Sequence, residues 1–159
     1  MTQIKLNYRE ELCHYLFQKS AEPYAKWFKK DKKAWGLSSS DLLDYPKNTF
    51  GYQVGLFLST NGFEFFPKHE THDLFHVVTG YGVSVKEEIA LQYLLYGNGK
   101  RSFYLYFVMS LGFLIVPEHY KFYKSSYQIG KSQSKFYHNI CKEYLEKDFE
   151  SVKVICIKK

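Results

Sequence analysis

Residues 103–116 run fourteen positions without a charge, closed off by Ser102 on one side and Pro117 on the other. A helix that crosses a bilayer needs about twenty such residues, so this run is too short to span a membrane. It reads instead as a helix buried on all sides, or as one wall of an apolar cavity. On the cavity reading, Phe103, Phe107, Leu111 and Leu114 are the candidate lining for a lipid-sized apolar space.

The remaining chain is punctuated as helices. A helix is expected from residue 7 to about Ser20, with a second short one after Pro23, because proline removes a backbone donor and breaks the ladder. Ser38, Ser39, Ser40 and Asp41 make a natural helix start, and Pro46 ends what begins there. Residues 49–60 read as a helix stopped by Asn61-Gly62. Pro67 is expected to open the next, over residues 68–78. Ser84 with Glu87 three positions on is a capping-box pattern, starting a helix that runs to about Tyr96 and stops at Gly97-Asn98-Gly99. This helix and the apolar run after it are expected to form an antiparallel hairpin. Residues 119–128 and 132–146 continue the helical patterning, with Gly130 as punctuation, and residues 149–157 read as a short terminal helix. No repeats and no convincing strands occur, so the fold class is all-α, and 159 residues suit one domain over residues 1–159.

Potential metal ligands concentrate in His72-Asp73-Leu74-Phe75-His76, followed twelve residues later by Glu88. On a helix, His72 and His76 lie one turn apart on one face, and Asp73 adds a carboxylate beside them. Gly80 and Gly82 allow the chain to turn back, which could bring Glu88 from the first turns of the next helix to close the site. Two nitrogens with two carboxylate oxygens suit Zn²⁺, Mn²⁺ or Fe²⁺ better than a soft thiophilic metal. The same pattern also arises as a hydrogen-bonded, half-buried surface. His69, three residues before His72, and Glu87 are candidates to support the ligands from behind.

Composition bounds the partners. Fifteen Tyr and fourteen Phe imply a wide apolar interior, with many tyrosines at its boundary because their hydroxyls need partners. The net charge of +6 is moderate, but residues 26–35 hold five lysines together with both tryptophans, Trp27 and Trp35. Such a stretch can dock on an anionic membrane surface or can be a solvated loop with its tryptophans packed inward. Arginine occurs only at Arg9 and Arg101, which argues against nucleic acid, where bidentate contacts favour Arg. Cys13, Cys141 and Cys156 are an odd number at no recognisable spacing, pointing to a reducing compartment. Residues 1–7 lack the apolar stretch of a secretory signal and the character of an organelle presequence. The expected location is cytoplasmic, with attachment to the inner face of the cell membrane as a further possibility.

His72-Asp73-x-x-His76, eleven intervening residues, and Glu88-Ile89-Ala90-Leu91 resemble the signature of the ubiquinone (coenzyme Q) biosynthesis proteins of the Coq-four type. The resemblance is clear over residues 67–94 and general elsewhere, through the all-helical plan and a glycine, Gly130, ahead of a terminal helix. It implies that His72, Asp73, His76 and Glu88 bind one divalent metal, usually zinc. It also implies a long apolar cavity for a polyprenyl tail, peripheral membrane attachment, and oxidative decarboxylation of a quinone head-group precursor. A homodimer or a larger biosynthetic complex would accompany that role. The turn Thr79-Gly80-Tyr81-Gly82-Val83 departs from the family in lacking its common proline, which suggests a distant bacterial relative whose lipid need not be ubiquinone.

Two rival classes fit the same residues. One is a non-catalytic isoprenoid carrier or scaffold. The other is a zincin-like metal-dependent hydrolase, in which Asp73 is a base and Glu88 the third ligand.

Overall fold

The computed structural model describes residues 8–157; residues 1–7, read above for a leader, lie outside them. Eight α-helices and two short 3₁₀ turns account for the regular structure, and no strand occurs among the described residues. The all-α expectation holds. The chain divides into two compact units, residues 1–30 with 83–131, and residues 31–82 with 132–159.

In the first unit, helix α1 (Tyr8–Phe28) runs straight through Pro23, against the expectation of a break. Proline in a helix interior costs about 3 kcal/mol, and aromatic packing after it opposes that cost. Tyr24 stacks on Phe28 at 5.1 Å and meets Tyr104 at 5.0 Å, and Phe28 meets Phe103 at 5.5 Å. Helix α5 (Val85–Asn98) is buried around most of its circumference, through Val85, Ile89, Ala90, Leu91, Leu94 and Leu95. It packs against α6 (Phe103–Ile115), which also contacts α1. Gly112 permits the α5–α6 approach, since a Cβ there would lie 2.6 Å from the Ile89 side chain.

Helix α7 (Tyr120–Ser132) follows a 3₁₀ turn over Pro117–His119. Gly130 lies inside α7 and is not punctuation. A Cβ at Gly130 would stand 1.9 Å from the Leu94 carbonyl oxygen, and one at Gly97 would stand 2.2 Å from that of Tyr127. These two glycines let the backbones of α5 and α7 touch. Asn98, buried on α5, donates its amide to the Gly130 carbonyl at 3.2 Å.

Burial of α6 on all sides is not observed. Leu105, Val108 and Gly112 face inward, while Phe103 is 73% and Leu114 75% exposed, with Phe107 also exposed and Leu111 half-buried. A continuously apolar helix carries no periodicity to say which face turns inward, and here the buried face is that of Leu105, Val108 and Gly112. Phe103, Phe107 and Leu114 therefore present an outward apolar stripe.

In the second unit, α2 (Ser39–Leu43) starts on the capping box of Ser38 and Asp41, and α3 (Phe50–Asn61) runs from its Thr49 cap to Gly62, whose φ of 69° suits glycine. Helix α4 (Glu70–Thr79) begins three residues after Pro67, later than expected. It packs against α3 and against α8 (Phe149–Ile157). The helix expected over residues 132–146 does not form beyond Ser132, the end of α7. That segment is irregular apart from a 3₁₀ turn at Lys142–Tyr144. It delivers Phe136 against Phe75 and pairs its carbonyls at Leu145 and Lys147 with the amides of Gly51 and Phe50.

Within residues 26–35, Lys26, Trp27 and Phe28 belong to the last turn of α1. Trp27 is 72% exposed, whereas Trp35 is half-buried in the second unit. The Trp35 backbone N–H donates to the Glu70 carboxylate at 2.9 Å, its backbone carbonyl accepts from Lys142 at 3.1 Å, and its ring meets Phe65 edge-on. The inward packing holds for one tryptophan and not for the other.

Candidate metal centre

Helix α4 places His72 and His76 one turn apart with their imidazoles in contact: the two Nε2 atoms are 3.1 Å apart and the rings stand nearly perpendicular at 86°. His76 is 2% exposed, so its orientation is set by what surrounds it. Phe57 of α3 lies parallel to its ring at 5.6 Å. Gly80 ends the helix in the left-handed conformation at φ 74°, its N–H bonded to the His76 carbonyl. The next residue, Tyr81, turns its own carbonyl to 3.0 Å from His76 Nδ1.

That contact fixes the tautomer. A carbonyl can only accept, so Nδ1 carries the proton, and in a neutral imidazole the lone pair is then on Nε2, the atom facing His72. A metal-ligating histidine is commonly held by such a backbone acceptor behind it. With metal–nitrogen bonds of about 2.0–2.1 Å, two nitrogens at a tetrahedral angle lie roughly 3.3 Å apart. The observed 3.1 Å is close to that span, so the pair fits one ion.

Glu88 stands in the first turn of α5, its N–H bonded to the Ser84 carbonyl at 2.9 Å. Ligand atoms of His72, His76 and Glu88 all lie within 4.8 Å of one another. The set is two imidazole nitrogens and one carboxylate oxygen, a donor set that fits Zn²⁺, Fe²⁺ or Mn²⁺. Asp73 is half-buried on the same helix and stands outside this group of three.

The supporting residues are placed as follows. His69 caps α4 without a side-chain cap bond, its ring edge-on to Phe66, and its carbonyl accepts the His72 N–H at 2.7 Å. Glu87 accepts a hydrogen bond from the Ser84 hydroxyl. That hydroxyl bonds the Glu87 side chain and caps no backbone N–H, so the cap expected of Ser84 is not made. Sequence reasoning missed Tyr81, since a backbone carbonyl leaves no mark on residue type, and missed Phe57, which lies nineteen positions from His76.

A shallow depression of about 430 Å³ elsewhere in the second unit is lined by Asp41, Asp44, Tyr45, Pro46, Thr49 and Glu146. Its acidic lining is unlike the apolar cavity expected beside residues 103–116.

The regular structure among the described residues is all-α, and His72, His76 and Glu88 form a group that could hold a metal ion. The fold is similar to the crystal structure of a proposed ubiquinone biosynthesis protein from Nostoc punctiforme PCC 73102, with a TM-score of 0.61 and 18% sequence identity over 96% of this chain and 83% of that one. At that identity the likeness establishes the fold. No family model and no curated protein matches the sequence.

Proposed function

We propose that the protein binds one divalent metal ion through His72, His76 and Glu88, with Asp73 as a further ligand or base, and serves isoprenoid quinone biosynthesis. The observation that carries this reading is the pair of Nε2 atoms at 3.1 Å, one with its lone pair fixed by the Tyr81 carbonyl, with Glu88 in reach. The motif spacing of the Coq-four-type proteins and the fold shared with the Nostoc protein support the biosynthetic role. The substrate would be a polyprenylated quinone precursor and the reaction oxidative decarboxylation of its head group.

A bound ion would supply Lewis acidity toward an oxygen of that head group. Zinc has no accessible redox change, so with zinc the electron-rich head group would itself have to react with oxygen, a demand that iron relaxes. His76 would be held by Tyr81 and Phe57, and the pair of histidines would orient the ligand.

The outward stripe of α6 supports peripheral attachment to a membrane. Phe103 meets Phe28 at 5.5 Å, which joins the stripe to the end of α1, where exposed Trp27 and Phe28 stand among Lys26 and Lys30, with Arg101 two residues before Phe103. Exposed aromatics among cations complement an anionic lipid surface. A prenyl tail could reach the protein along the same stripe.

Elemental analysis of protein purified without chelators tests the central claim. The expected result is about one divalent metal per chain, abolished by His72→Ala or His76→Ala. Metal-free wild-type protein would refute it.

A further inference from the structure

The two arginines of this chain, both in the first unit, are used in different ways. Arg9 is engaged as a fork: Nη1 and Nη2 donate to the two Glu118 carboxylate oxygens at 3.2 and 3.1 Å, and Nη2 also donates to the Ile115 carbonyl. Arg101 is exposed and meets no carboxylate among the described residues. Its Nη1 donates to the carbonyls of Tyr96 and Lys100, each at 2.8 Å, and its Cζ lies 4.1 Å from the centre of the Tyr96 ring.

Those contacts hold the guanidinium in place and leave one edge of it unused. Nη1 has two hydrogens, one for each carbonyl, so the N–H groups of Nε and Nη2 remain, and neither meets an acceptor among the described residues. Together they form the side of a planar fork that matches two oxygens of one phosphate or carboxylate. Bonding to the Tyr96 carbonyl, near the end of α5, accounts for Nη1 and for nothing on the other edge. A lysine would keep the charge but could neither stack flat on Tyr96 nor present that edge.

The guanidinium stands beside the outward face of α6. The Tyr96 ring that carries it also meets Tyr106 at 6.1 Å, and Tyr106 is exposed one turn along α6 from Phe103. A cation held next to exposed aromatic rings suits the zone of a bilayer where headgroup phosphates border the hydrocarbon.

We propose that Arg101 binds the phosphate diester of a membrane phospholipid through its Nε–H and Nη2–H edge, with the exposed aromatic rings of α6 entering the bilayer beside it. This rests on the membrane-attachment reading above and adds the group recognised and the residue that recognises it.

The test compares wild type, Arg101→Lys and Arg101→Gln in sedimentation with vesicles of phosphatidylcholine and phosphatidylglycerol, the latter charged only at its phosphate diester. Thermal melts of each protein accompany the binding. Arg101→Gln should bind about fivefold less tightly, the effect of one cation near an anionic surface, and Arg101→Lys should lose as much although its charge is kept. A folded lysine variant that binds as wild type does overturns the inference and leaves membrane attachment standing, whereas wild type that fails to bind overturns both. Wild-type protein supplies a check that needs no variant. In ¹H–¹⁵N spectra the assigned Nε–H resonance of Arg101 should shift on adding small bicelles that contain phosphatidylglycerol, while that of Arg9 stays. An unmoved Arg101 resonance would overturn the inference. An equal shift with inorganic phosphate alone would assign the edge to a free phosphate and overturn the lipid assignment.

Discussion

His72 and His76 play the same part in the ligand group but sit in different surroundings, so replacing each with alanine should separate metal binding from stability. His76 is buried, stacked on Phe57 and bonded through Nδ1 to the Tyr81 carbonyl. Removing it leaves that carbonyl without its donor, a loss of about 1–3 kcal/mol, and opens space beside Phe57, so a total of about 2–4 kcal/mol is reasonable. In a chain of this length each kcal/mol moves the melting temperature by about 2–4 °C. Metal-free His76→Ala should therefore melt roughly 5–15 °C below wild type. His72 is half-buried, and its loss should cost under about 1 kcal/mol. A metal at a hundred times its dissociation constant adds about 2.7 kcal/mol of stability, which raises the wild-type melting temperature by roughly 5–10 °C. Both variants should lose that rise. Scanning calorimetry with and without Zn²⁺ reads all six values. The reasoning is refuted if His72→Ala keeps its metal-induced rise, or if metal-free His76→Ala melts with wild type.

Other perturbations probe the scaffold and the surface. Gly130→Ala puts a methyl group against the Leu94 carbonyl, backbone against backbone; overpacking of this kind costs about 1–3 kcal/mol or more, and a thermal melt unchanged from wild type would contradict the packing of α5 on α7. Burial pushes the Cys156 thiol up to about 12 from 9.0. Its folded value lies above its unfolded one, so this contribution to stability is complete below about pH 9 and is lost as pH rises toward about 12. Urea midpoints across that range should fall for wild type and fall less for Cys156→Ala. Flotation with vesicles containing phosphatidylserine should retain wild-type protein at low salt and lose the double variant Trp27→Ala, Phe103→Ala; equal flotation of both proteins would remove that surface from the membrane reading.

Much of the fold could be read where the signal was local. Ser38 with Asp41, Thr49, Gly62 and Ser102 all mark helix ends by chemistry that operates within a few residues, and the helices begin or end beside them. Pro23 and residues 132–146 were misread because tertiary contacts decide both: aromatic packing carries α1 past its proline, and backbone bonds to α3 hold the later segment irregular. Gly130 could be recognised as significant but not explained, since its reason is a carbonyl on another helix. In the candidate site, the four-residue spacing of His72 and His76 was legible because helix geometry alone brings such residues together. The role of Tyr81 was not, because it acts through a backbone atom.

The hydrogen bond from His76 to Tyr81 has a consequence for how this site can vary. The group that selects the imidazole tautomer belongs to the main chain of a turn, and every amino acid carries the same carbonyl. The identity of the side chain at position 81 is thereby uncoupled from the proton on His76. What the site requires of this turn is its path, which depends on the left-handed residue at Gly80. Substitutions at 81 that preserve that path should leave the ligand nitrogen unchanged, whereas a β-branched residue at position 80, strained at positive φ, would move the carbonyl and with it the direction in which His76 offers its lone pair.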